Sequence, residues 1–172
     1  MIEFARVFFN IALLRQGPQQ LPASRLLLAA LLVITLVLQF AVAAAFELGI
    51  VLVLERYVLA IALGLLLTSA VLSIAGHQRR FLQVATAMVG AALVLAPLDV
   101  LLLAVVRPYG AFANHPDWLR VIEGAYEAWG IVIVGHIYRV ALERSLLLGV
   151  LLSFACEIMM VSAIQSLFPV PL

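Results

Sequence analysis

Three ionisable residues stand inside long apolar runs, and their types are those that bind cations or relay protons. Glu157 lies in "SFACEIMM", Asp99 in "APLDV", and His136 in "IVIVGHIYRV". Charged side chains within a membrane span are rare and costly and face the interior of a bundle. Glu157 falls roughly 12 residues into its run, about 18 Å along a helix. On a 100° wheel its sector holds Ser145, Gly149, Ser153, Cys156, Met160 and Ala163, with Leu147, Leu151, Phe154 and Ile158 opposite. Small residues on one side and bulky ones on the other form a helix-packing face, so Glu157 is expected to point into a bundle. Asp99 shares a stripe with Ala85, Met88, Ala92 and Ala96, and follows Pro97, which permits a kink. His136 shares a face with Trp129, Val132, Val140 and Glu143.

Each residue also has a purely structural reading. Glu157 can make an interhelical hydrogen bond, Asp99 can bond backbone freed by the proline, and His136 can be a packing residue. Cys156 reads as a small packing residue. Arg139 and Glu143, four apart, are expected to form a local ion pair. Arg79 and Arg80 in "GHQRR", with Arg15, are candidates for lipid headgroup contacts or simple topology signals.

The elements that must position these groups follow from composition. The 172 residues are 66% hydrophobic and 11% charged, with a mean hydropathy of +1.22. Soluble domains are nearer 25% charged, so the solvent for most of this chain is lipid. A single all-α polytopic membrane domain, 1–172, is expected. A helix needs about 20 apolar residues to cross a bilayer. Five spans result: 26–46, 54–75, 81–106, 124–142 and 146–168, the fourth being the most polar. An outer loop covers 107–123, in which "HPDWLRVIE" reads as an N-capped amphipathic helix leading into the fourth span. Residues 2–16 form an interfacial amphipathic helix with Glu3, Arg6 and Asn10 opposite Phe4, Val7, Phe8, Ile11 and Leu14, ended by Gly17-Pro18. Ser24 is a natural N-cap for the first span. The second span carries Tyr57, Ala60, Gly64 and Thr68 on one face, and Glu55-Arg56 at its start reaches the interface by snorkelling. "AVAAAF" resembles a cleavage site, but the long amphipathic stretch before the first span favours an uncleaved helix.

Arginine placement sets the expected orientation. An internal N-terminus puts Arg6, Arg15, Arg25, Arg79, Arg80, Arg139 and Arg144 inside, and Arg56, Arg107 and Arg120 outside. The expected location is a bacterial inner membrane, with the C-terminus outside. A net charge of +1 gives nucleic acid no basic surface to meet. HExxH, paired cysteines, GxSxG and phosphate-binding glycine loops are all missing from the sequence, and His77, His115 and His136 are split between the two sides. Neither an enzyme nor a cofactor or metal is expected.

"HQRRFLQVATAMVGAALVLAPLD" and "EAWGIVIVGHIYRVALERSLLLGVLLS" resemble Yip1-type membrane proteins and the small bacterial proteins grouped with them. The resemblance implies five spans, an internal N-terminus and an external C-terminus, and it supplies no catalytic residues. The leading expectation is a non-enzymatic scaffold, assembly factor or accessory subunit whose partners are the bilayer and other membrane subunits, or further copies of itself. The alternative is a small transporter or ion-coupling unit with Glu157, Asp99 and His136 as a staggered polar path. Lipid binding through Arg79, Arg80 and the N-terminal helix is a third.

Overall fold

The computed structural model describes residues 2–110 and 114–168. The side chains of Ile2 and Glu3 lie outside the described residues, and with Glu3 a corner of the expected N-terminal polar face. So do 111–113 of the expected outer loop and the proline-bearing tail 169–172. Among the described residues six α-helices follow in order: α1 (Ile2–Ala12), α2 (Arg25–Ala45), α3 (Ile50–Ile74), α4 (Phe81–Val106), α5 (Asp117–Leu142) and α6 (Leu146–Leu167). The chain is all-helical, and four helices are long and apolar enough to cross a membrane: α2, α3, α4 with its flanking turns, and α6.

Local chemistry sets several boundaries. Ser24 caps α2 by accepting from the Leu27 amide at 3.2 Å, and Ser145 caps α6 through the Leu148 amide at 3.3 Å. α3 begins at Ile50, after Gly49, and so starts earlier than the expected 54. α5 runs unbroken from Asp117, taking in the "DWLRVIE" stretch expected to lead into the fourth span. Its N-cap is Pro116, without a side-chain cap bond. α4 stays helical through Pro97.

α1 departs from its expected form in two ways. It ends at Ala12 rather than at 16, because Leu14 turns left-handed (φ 60°) and the amides of Arg15 and Gln16 fold back on the Asn10 carbonyl. Part of its apolar face is also covered by protein: Phe8, Ile11 and Ala12 are buried, while Phe4 is exposed. The Phe8 ring fills the space beside Gly90 of α4, where even a methyl group would sit 2.2 Å from the ring. A helix shaped for an interface has found a partner surface with a glycine notch.

The segment after α1 then crosses the ends of α4 and α5. The Leu21 carbonyl accepts from Gln83 Nε2 at 2.8 Å, and a Cβ on Gly17 would meet Val140 at 2.6 Å. Next to it, Arg80 donates to the Ala141 carbonyl at 2.7 Å and to the Glu143 carboxylate. This corrects one expectation. Glu143 pairs with Arg80 rather than with Arg139, because Glu143 is the left-handed C-cap (φ 56°) and has left the helical register that would align it with Arg139. Arg80 is therefore a tie between α4 and α5, with its side chain still 39% exposed. Arg79 and Arg15 remain exposed.

The bundle has a turn end, with the 13–24 segment and the 75–80 and 143–145 turns, and a loop end, with the 46–49 turn and residues 107–110 and 114–116.

Candidate functional site

α5 and α6 form an antiparallel hairpin with backbones in contact. A Cβ on Gly149 would lie 2.1 Å from the Gly135 carbonyl oxygen, and one on Gly135 would lie 2.8 Å from the Val150 amide nitrogen. Close approach at small residues is the usual way membrane helices gain dispersion contact, since lipid provides no hydrophobic drive between them. This contact also fixes register. Glu127 lies eight residues before Gly135 and Glu157 lies eight after Gly149. At 1.5 Å per residue both stand about 12 Å toward the loop end from the same point. The two glutamates therefore stand at the same height on the two arms of the hairpin, Glu157 half-buried and Glu127 exposed.

They border a cavity of about 320 Å³ between α3, α4, α5 and α6. Its walls are mainly apolar, including Leu67, Leu95, Ile131 and Val134, and its polar groups are Thr68, Tyr126, Glu127, Tyr138, Ser153, Cys156 and Glu157. Gly64 and Gly130 keep it open, for a Cβ at either would meet nothing within 4 Å. Toward the turn end the cavity has a floor. The Tyr138 hydroxyl (residue 1% exposed) shares a hydrogen bond of 3.0 Å with Thr68 Oγ1, which also donates to the Met88 sulfur at 3.5 Å. The Cys156 thiol neighbours the same phenol.

The expected site residues separate. Glu157 lines the cavity, half-buried, with the small residues Gly149 and Ser153 of its stripe buried and Leu147, Leu151, Phe154 and Ile158 exposed on the far side. Asp99 reaches the cavity at one remove, by accepting a hydrogen bond from the Tyr126 hydroxyl. His136 is not among the cavity-lining residues: its Nε2–H donates to the Gln16 carbonyl at 3.0 Å, tying α5 to the segment after α1. Arg56 turns to the end of α6, donating to the Phe168 carbonyl at 3.0 Å with its guanidinium 5.9 Å from the Phe168 ring.

Glu127 and Tyr138 were missed as site residues by reasoning from sequence. The signal was present, since Glu127, Ile131, Val134 and Tyr138 recur at four-, three- and four-residue steps and so form one helical stripe. Only the register with α6 makes that stripe the facing wall of the Glu157 stripe.

Within the described residues, Asp99, Glu127 and Glu157 form no ion pair, and no three metal-ligating side chains converge. No family model, curated protein or solved structure matches the chain.

Proposed function

We propose that this chain is a non-enzymatic membrane protein that works by binding, as an accessory or assembly subunit of a larger membrane complex. The observation that carries the reading is the cavity with one closed end. Half-buried Glu157 and exposed Glu127 border an apolar space with no cation among the described residues, and Thr68, Met88 and Tyr138 close its floor. Behind that floor Leu72, Val84, Ile137 and Ala141 are fully buried. Such an arrangement receives a group from the loop half without passing it on.

The same proposal includes five spans in a bacterial inner membrane, with α5 as the fifth. Its 26 residues reach about 39 Å, and it packs along α6 for much of its length. The arginine bias supports an internal turn end, which would put the cavity in the outer half of the membrane. Exposed Arg79 and Arg15 would then meet headgroups of the inner leaflet. Kinship with Yip1-type proteins belongs to the proposal too, and rests on the two sequence stretches alone.

Affinity capture of the wild-type chain from native membranes in mild detergent tests the role. A stoichiometric membrane partner is the expected result, and a clean monomer would overturn it. A second reading, a transport unit, is favoured by the polar edge running from Asp99 and Tyr126 to Glu127 and Glu157. It requires proteoliposome flux that Glu157→Gln abolishes, and it has to bypass the closed floor, since His136 stands apart from the cavity.

A further inference from the structure

The carboxylate pair does not stand alone in the cavity. Ser153, one turn from Glu157 toward the floor, is only 4% exposed and lines the same space. A helical serine in an apolar setting ordinarily returns its hydroxyl to a carbonyl one turn back. Ser153 makes no such bond and has no other hydrogen-bond partner among the described residues, whereas Thr86 and Ser166 do bond backbone carbonyls in this chain. Ser153 is buried as a residue while its hydroxyl on the cavity wall lacks a protein partner, and such a hydroxyl marks a place for a ligand group.

We propose that the cavity is a binding site for a primary alkylammonium ion. The inference rests on the binding role proposed above and names what the cavity takes. The Glu127 and Glu157 carboxylates supply the charge and accept two N–H bonds. Ser153 Oγ, about 6 Å along α6 from Glu157, accepts the third or reaches it through one water. The alkyl stem lies against Leu67, Leu95 and Val134 in the space left by Gly64 and Gly130. A volume of about 320 Å³ suits a small organic molecule, at the lower edge of the range for ligand pockets.

Other ligand classes fit less well. A divalent cation takes about six oxygens, more than two carboxylates and one hydroxyl fill, and no third His, Cys, Asp or Glu joins them among the described residues. A quaternary ammonium has no N–H for Ser153. A neutral lipid tail leaves the half-buried Glu157 carboxylate without a partner against apolar atoms, at a cost.

The test uses the wild-type chain in phosphatidylcholine nanodiscs and radiolabelled n-hexylammonium, with 1-hexanol as a competitor of equal stem length. Saturable binding to one site is expected, with hexanol competing at least about a hundredfold more weakly, as removal of a charge-assisted pair predicts. Glu157→Gln or Glu127→Gln should weaken binding about tenfold or more, and Ser153→Ala about fivefold. Gly130→Leu, which fills the cavity while leaving every carboxylate in place, should abolish it. Equal affinity for hexanol and hexylammonium overturns the proposal without recourse to any variant. Unchanged binding in Gly130→Leu, or in both glutamate variants, overturns it as well. If wild type binds no hexylammonium while affinity capture still returns a partner, the ligand is wrong and the subunit role stands. If it binds hexylammonium while capture returns no partner, the ligand stands and the subunit role falls.

Discussion

Gly149→Ala isolates the contact on which the site's register depends. The added methyl carbon would lie 2.1 Å from the Gly135 carbonyl oxygen, 3.0 Å from the Gly135 carbonyl carbon and 3.0 Å from the Arg139 amide nitrogen. A carbon and an oxygen not bonded to one another rest more than 3 Å apart, so α6 must retreat by about 1 Å. The obstacle is backbone on a rigid helix, which cannot rotate away as a side chain would. Overpacking a well-filled interface costs about 1–3 kcal/mol, and a backbone obstacle puts this case at about 3. The helix-propensity gain of alanine over glycine returns about 1 kcal/mol at most. A net loss of about 2 kcal/mol is therefore expected, roughly a thirtyfold shift in the unfolding equilibrium. Gly130→Ala, on the neighbouring helix with open space around its Cβ, is the internal control and should be neutral or slightly stabilising. Reversible unfolding in mixed micelles titrated with dodecyl sulfate reads both. Equal stability of Gly149→Ala and wild type would refute the close-contact geometry, and so would a Gly130→Ala variant as unstable as Gly149→Ala.

Three other perturbations probe the remaining joints. Phe8→Ala empties the notch beside Gly90 and should weaken docking of α1 by about 3 kcal/mol, read as faster proteolysis near Arg15 with α2–α6 unaffected. Thr68→Val or Tyr138→Phe alone removes one partner of the buried hydroxyl pair at the cavity floor and should cost about 1–2 kcal/mol. The double variant should be closer to wild type than the sum of the two, as a double-mutant cycle of unfolding will show. The Arg80 guanidinium, by hydrogen bond and then by charge, holds the Glu143 carboxyl below its ordinary value of 4.5. A depressed folded-state value means that the tie contributes above about pH 4.5 and is lost as pH falls through the folded value. The melting difference between wild type and Glu143→Gln should thus be present at pH 7 and vanish in strong acid. Because this pair is exposed, the difference should be small.

Much of the architecture was legible in the sequence because lipid imposes simple rules on it. Apolar length alone marks four helices, and Ser24 announces the start of α2 by the chemistry of its hydroxyl. The small-residue stripe of Gly149 and Ser153 revealed which side of α6 turns inward, because only small residues admit a neighbouring backbone. The polarity of α5 and its end at Leu142 were readable too, and so was a helix over "DWLRVIE" leading into it, but its start at Asp117 was not, since 107–123 was expected as an outer loop. The fate of the N-terminal helix was less so. Its amphipathic pattern is equally satisfied by a lipid interface and by a protein groove, and the glycine notch that receives Phe8 lies about eighty residues away.

Glu157 shows where sequence stops. Its place near the middle of an apolar helix, and the face it turns inward, follow from one-dimensional periodicity. Its opposite number does not, because Glu127 belongs to another helix and becomes a neighbour only through the Gly135–Gly149 contact. His136 shows the converse: its depth along α5 suggested a path with Glu157, yet a bond to the Gln16 carbonyl turns it toward the N-terminal segment. Sequence determined which residues are too polar for their surroundings, since burial cost depends on residue type and local composition. Tertiary structure decided which of them meet, since partnership depends on helix register and azimuth, which are set by a few close contacts between segments distant in the chain.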